Sequence, residues 1–336
     1  MTIQYITNNA IVTAKVKAFI ADWYSEQTTI AVKTSGSTGI PKTILHSKKH
    51  MIASAIATGE YLGLAKGDSA LLCLSTDTIG GKMMIVRALV LELDLYISDV
   101  NSSPLDKIDR PINFAAMVPM QVATSIAKKP TCLDSIDILI IGGAPISGSL
   151  EAQLQDYNCR CFHTFGMTET ISHIALRSLN QPKEEDFKIV PITTISTDNE
   201  QQLIISAPHL GITQLRTNDI VKLTADDRFK WLGRSDFVIN SGGVKLHPEV
   251  VESSLSTMIS APFFVSGLPD PLLGKKLVLH IEGSGSYQKS DFTSLLENIQ
   301  TPKEVYYYEQ FEYTQSGKID RISTLNSAAS VIRTIL

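Results

Sequence analysis

Near the start of the chain, the run Thr34-Ser35-Gly36-Ser37-Thr38-Gly39-Ile40-Pro41-Lys42 has the composition of an anion cradle. Glycines let consecutive backbone N–H groups turn toward one centre, hydroxyls add neutral donors, and a lysine brings positive charge. A polyphosphate suits all three. The run is not the common P-loop, which needs Gly, four residues, Gly, Lys and then Ser or Thr. Here Pro41 separates the second glycine region from Lys42. A strand-like stretch, Thr29-Ile30-Ala31-Val32, leads into the loop, and a helical stretch begins near Lys48.

The loop resembles the phosphate-binding loop of the adenylate-forming superfamily, which includes acyl-CoA synthetases and peptide-synthetase adenylation domains. Further segments extend the resemblance. Phe165-Gly166-Met167-Thr168-Glu169-Thr170 is similar to the superfamily's second signature. That likeness implies a phosphate contact for Thr168 and a magnesium ligand in Glu169, and a hard carboxylate oxygen is what magnesium prefers. Ile141-Gly142-Gly143-Ala144-Pro145 resembles the adenine segment, so Gly142, Gly143 and Ala144 are expected beside the flat base. Leu215-Arg216-Thr217-Asn218-Asp219 resembles the ribose segment, whose aspartate accepts from both hydroxyls; this gives that role to Asp219. Asn218 stands where glycine is usual, and asparagine tolerates a left-handed backbone better than most residues.

Gly233-Arg234-Ser235-Asp236 resembles the superfamily's hinge, making Arg234 a second ribose contact and Asp236 the pivot. Thr314-Gln315-Ser316-Gly317-Lys318-Ile319-Asp320-Arg321 is similar to the terminal signature, whose lysine reaches across during adenylation. Lys318 inherits that role. A mobile ammonium can offset charge developing among carboxylate, α-phosphate and departing pyrophosphate. After the hinge, Ser241-Gly242-Gly243-Val244-Lys245-Leu246 and Pro248-Glu249 resemble the loop facing the thiol tunnel, with Gly242, Gly243 and Lys245 expected along it.

The resemblance implies an ATP- and Mg2+-dependent acid-CoA ligase that forms an acyl-adenylate and passes the acyl group to coenzyme A. Within the superfamily, the pattern is most similar to the o-succinylbenzoate-CoA ligase family of menaquinone synthesis. It rests on Gly81-Lys82-Met83-Met84-Ile85-Val86-Arg87 and Thr170-Ile171-Ser172-His173-Ile174-Ala175-Leu176. The substrate of that family keeps a second carboxylate that is not activated, so a buried cation is expected in the pocket. Arg87 and Lys82 are the candidates, with Ser172 and His173 as polar neighbours. Another acyl- or aryl-CoA ligase, or an adenylation module loading a carrier protein, would share the other motifs. The chain departs from the superfamily in two places. Only 33 residues precede the phosphate loop, so the first region reads as shortened, and Thr78 stands where an aromatic or histidine gate is usual.

These residues need a scaffold, and the sequence reads as α/β. Ala70–Leu74, Leu95–Ile97, Asn113–Val118 and Ile136–Ile141 are short unbroken apolar runs, as in parallel strands buried on both faces. Helices are expected between them, at Lys82–Leu93 and Pro119–Ala127. From about Gly233-Arg234 the pattern shifts to shorter pieces rich in Gly and Pro, which predicts a large domain over 1–233 and a small mobile α+β lid over 234–336.

The bulk composition narrows the partners. Thirty basic against 34 acidic residues give a net charge of -4, so there is no global positive field to hold nucleic acid or an anionic membrane. No stretch approaches the roughly 18 to 20 apolar residues of a membrane helix, and a cytoplasmic location is the expectation. Cys73, Cys132, Cys159 and Cys161 fit no common zinc spacing and are expected as buried free thiols. Small-molecule partners are expected, with homo-oligomerisation left open.

Overall fold

The computed structural model describes residues 1–33, 42–313, 319–327 and 331–336. Its largest feature is a twelve-stranded sheet. One half is parallel, in the order Ile3–Tyr5, Asp94–Ile97, Ser69–Leu72, Ile112–Met117, Ile136–Ile141 and Arg160–Gly166. The other half is antiparallel and continues through His173–Ser178, Phe187–Ile189, Arg228–Arg234, Ile212–Ala225, Gln202–Ala207 and Thr194–Thr197. The strands expected from unbroken apolar runs are the inner parallel ones.

Alternation across the pleat explains why these strands read as continuous apolar stretches. Ala70, Leu72 and Phe114 join one buried cluster, with the helices Ala10–Tyr24, Lys48–Leu62 and Ile79–Leu91. Leu71 and Ala115 point the other way, into a cluster with Val122 and Ile126 of the helix Pro119–Lys128 and with Leu150 and Leu154 of the helix Gly148–Leu154. Both faces are covered, so both side-chain registers are apolar.

Two local features differ from the expectation. The helix expected from Lys82 begins at Ile79, because Thr78 caps it: the Thr78 hydroxyl accepts the Gly81 N–H at 3.4 Å. Thr78 is therefore committed to a helix start. The second difference is the strand Thr43–Ser47, which pairs with Thr29–Lys33 from Thr29↔Ser47 to Lys33↔Thr43. This antiparallel ribbon brackets residues 34–42 immediately ahead of the helix Lys48–Leu62.

Beyond the long sheet, six strands form a second one: Val244–Leu246, Ile239–Ser241, Gly274–Glu282, Glu304–Tyr308 and Val331–Ile335, with Phe263–Asp270 paired to Gly274–Glu282. It has its own core, including Ile239, Leu246, Val251, Leu279, Phe292 and Val305. All four cysteines are buried free thiols, as expected. Among the described residues no helix is long and apolar enough to cross a membrane.

Candidate active site

The expected site residues fall on several elements: the turns after the parallel strands, the antiparallel half of the long sheet and the second sheet. Thr34, Ser35, Gly36, Ser37, Thr38, Gly39 and Lys318 lie outside the described residues. Lys42 is exposed at the head of the strand Thr43–Ser47.

Thr168 and Glu169 sit in a single tight turn, Thr168–Thr170, directly after the strand Arg160–Gly166. Thr170 fixes the turn from inside. Its hydroxyl accepts the Met167 N–H at 3.0 Å and donates to the Ser172 carbonyl at 2.7 Å. Glu169 is left exposed and free of ion pairs among the described residues. One accessible carboxylate beside a hydroxyl suits magnesium, which keeps several waters and takes its other ligands from phosphates. The sequence reading missed a neighbour of this turn, His46, which is buried on the strand Thr43–Ser47. Burial holds its imidazole below the usual pKa, opposed by a hydrogen bond to the Thr168 backbone and by the Glu169 charge. The ribbon Thr29–Lys33 and Thr43–Ser47 is thereby tied to the Thr168-Glu169 turn.

Gly142, Gly143 and Ala144 follow the strand Ile136–Ile141 without a break. A Cβ on Gly142 would lie 2.0 Å from Thr164 Oγ1, so any other residue there would force the Thr164 side chain to move. His163 binds the Ala144 backbone, and burial depresses its pKa to about 4, leaving it neutral.

Asp219 and Arg234 are direct cross-strand partners in the antiparallel half. Asp219 is 7% exposed, with Trp231 Nε1 donating to its Oδ1 at 2.9 Å. Burial raises its pKa, against the Trp231 hydrogen bond and the Arg234 charge. Arg234 donates to Asp236 at 2.7 Å, and Asn218 Nδ2 donates to Asp236 Oδ1 at 3.1 Å. The expected ribose pair and the expected pivot thus form one network. Gly242 and Gly243, with φ of 57° and 83°, make the two-residue turn between the strands Ile239–Ser241 and Val244–Leu246, and Lys245 is exposed beside it.

The acid-pocket candidates separate. Arg87 is only 2% exposed, on a helix whose Met83, Met84, Ile85, Val86 and Ala88 are also buried. Its guanidinium donates to Ser172 Oγ at 2.5 Å, while its buried Nε has no partner. Ser172 Oγ lies 3.4 Å from His173 Nδ1, and His173 Nε2 lies 3.2 Å from the Thr58 hydroxyl, a residue the sequence reading did not single out. Burial lowers the Arg87 pKa to about 10, and burial with the nearby Arg87 charge keeps His173 neutral. Arg87, Ser172, His173 and Thr58 therefore form a buried polar line with one positive charge and, among the described residues, no carboxylate against it. Lys82 is not part of it. Its ammonium donates to the Ala31 carbonyl at 2.7 Å and lies over the Phe19 ring, bracing the strand Thr29–Lys33.

The family model for AMP-binding enzymes matches residues 22–205, more than half of the chain, spanning the ribbon, the helix Ile79–Leu91 and the Thr168-Glu169 turn. The chain belongs to the AMP-binding enzyme family. This AMP-binding enzyme is similar to the acyl-CoA synthetase (AMP-forming)/AMP-acid ligase II-like protein of Dyadobacter fermentans, at 33% identity over 95% of each chain with a TM-score of 0.65. A 2-succinylbenzoate–CoA ligase of Enterococcus faecalis is 27% identical across 89% of this chain and 70% of the relative. The fold also matches an o-succinylbenzoate coenzyme A synthetase of Bacillus subtilis in complex with ATP and a magnesium ion. That match has a TM-score of 0.79 at 21% identity and covers 89% of this chain and 70% of the other.

Proposed function

We propose that this AMP-binding enzyme joins o-succinylbenzoate to AMP at the expense of ATP and then transfers the acyl group to coenzyme A, a step of menaquinone synthesis. The observation behind the substrate is Arg87, a buried cation with an unpartnered Nε and no carboxylate at hand. A buried charge is costly until it is paired, so the pocket is built for an anionic group. The acid being activated has its own carboxylate at the phosphate; a second anion on the same molecule would meet Arg87. The names of the Enterococcus and Bacillus relatives agree with this reading.

In the first half-reaction the substrate carboxylate attacks the α-phosphorus of ATP and pyrophosphate leaves. Residues 34–42 and Thr168 hold the phosphates, Gly142, Gly143 and Ala144 flank the base, and Asp219 with Arg234 holds the ribose. Magnesium on Glu169 would supply positive charge to the polyphosphate. Lys318 reaches in from residues 234–336, a lid that turns about Asp236. In the second half-reaction the lid presents Gly242, Gly243 and Lys245 to the coenzyme A arm, whose thiolate attacks the acyl carbonyl and releases AMP. The cytoplasm is the proposed location, since the chain uses ATP and coenzyme A.

The test is mass spectrometry of products from ATP, coenzyme A, magnesium and a panel of acids that includes o-succinylbenzoate. The expected products are AMP and o-succinylbenzoyl-CoA. Turnover of other acids with none of this thioester would overturn the substrate, and no AMP from any acid would overturn the ligase reading.

A further inference from the structure

Glu249 lies in the first turn of the helix Pro248–Leu255, on the far side of the proposed pivot from the long sheet. Its carboxyl folds back across the pivot. A Cβ on Gly233 would lie 2.3 Å from Glu249 Oε2, so the carboxyl occupies the space a side chain would take. Gly233 also has φ of 143°, a backbone region that side chains other than glycine's avoid. The next residue, Arg234, gives its backbone N–H to the Glu249 carboxyl, while Glu249 Oε2 is buried with no hydrogen-bond partner.

The charges around this carboxyl do not balance. Arg321 is the facing cation, and it is already engaged by Glu252, with Nη2 donating to Glu252 Oε2 at 2.8 Å. Arg321 also stacks over Phe237 and Phe264. One guanidinium thus stands against two carboxylates, and Glu252 lies one turn further along the same helix as Glu249. Burial, reinforced by Glu252 and opposed by Arg321 and by the backbone of Glu249 itself and of Arg234, lifts the Glu249 pKa to about 7.

We infer that Glu249 is a positioning residue for the nucleotide site, its buried carboxyl clasping the Gly233-Arg234 backbone and so holding the lid in the orientation described here. It acts through Arg234, whose side chain faces Asp219 across the strand pair. The inference rests on the proposed turning of residues 234–336, because Gly233 lies before the pivot and Glu249 after it. Any such turn separates them and exposes the carboxyl to water, where its pKa returns to about 4.3. The sign follows. Below about pH 4.3 both orientations carry the proton; between there and about 7 only the clasped one does; above about 7 neither does. The clasped orientation therefore loses ground as pH rises across that window, by about five-hundredfold, and is level above it.

The experiment is energy transfer between dyes on cysteines introduced at the exposed positions Glu26 and Lys289, in the full chain, from pH 5 to 8, with and without ATP and magnesium. The four native thiols are buried. Wild type is expected to shift steadily between pH 5 and 7 and to level off by 8. Glu249→Gln, uncharged at every pH and of the same shape, is expected to hold the low-pH value throughout and to keep an ATP KM that no longer varies with pH. A pH response in Glu249→Gln equal to that of wild type would overturn the inference. So would a flat wild-type response alongside a nucleotide-driven change in transfer, which would leave the turning lid intact. No change with nucleotide or pH in either protein would refute the turning lid itself.

Discussion

The Arg87 guanidinium and the Ser172 hydroxyl, 85 positions apart in sequence, meet at 2.5 Å, with Ser172 two residues past the turn Thr168–Thr170. The proposed anchor for the spare carboxylate is thus braced by the same segment that carries the proposed phosphate and metal contacts.

Arg87→Leu keeps the apolar packing of the helix and removes the cation. A charge-assisted contact contributes about 1.5 to 3 kcal/mol, so capture of o-succinylbenzoate should weaken roughly tenfold to a hundredfold. A matched acid lacking the second carboxylate should be handled as before. The comparison is kcat/KM for the two acids, and equal losses on both would make Arg87 purely structural.

Lys318→Ala should abolish acyl-adenylate formation while leaving transfer from supplied acyl-adenylate to coenzyme A largely intact. The two half-reactions are measured separately, by pyrophosphate release and by thioester formation. Comparable loss in both would remove Lys318 from its proposed role.

Asp236→Pro restricts φ at the proposed pivot and removes the acceptor shared by Arg234 and Asn218. It should hold the lid in one orientation, sparing one half-reaction and blocking the overall reaction. Thioester formation at the wild-type rate would rule out the pivot.

His280 tests the pH dependence of stability. It is 1% exposed, 2.8 Å from the Ser266 hydroxyl and 3.0 Å from the Tyr308 hydroxyl, and burial takes its pKa down to about 3. Its folded pKa is depressed, so as pH falls below about 6.5 the unfolded chain gains the proton first and stability is lost down to the folded pKa. Over that window His280 contributes a slope of up to about 1.4 kcal/mol per pH unit. Urea denaturation of wild type and His280→Asn between pH 4.5 and 6.5 should show the variant flatter by about that slope. Parallel curves would show that His280 is charged in the folded protein.

Much of this site could be read locally. The Thr34–Lys42 run, the Thr168-Glu169 pair and the short segments that hold Asp219 and Arg234 are local strings, and their expected roles rest on resemblance to the superfamily's motifs. Thr58, His46 and Trp231 are different, because their partners, His173, the Thr168 backbone and Asp219, are brought to them by the fold. No local pattern marks them. The burial of Arg87 did leave a signal: a helix apolar all round is a buried helix, and the single cation in Met83–Leu91 had to go inside with it. Lys82, five residues earlier, turns to another side of the same helix and braces a strand.

Cys73, Cys132, Cys159 and Cys161 all belong to one apolar layer, the face of the parallel half covered by the helices Pro119–Lys128 and Gly148–Leu154. Burial lifts the Cys73 thiol to about 12 and the Cys132 thiol to about 11, so neither offers a thiolate to a reagent while the layer is shut. The protein thus contains its own clock for opening: alkylation of these thiols can proceed no faster than that layer parts, whatever the reagent concentration.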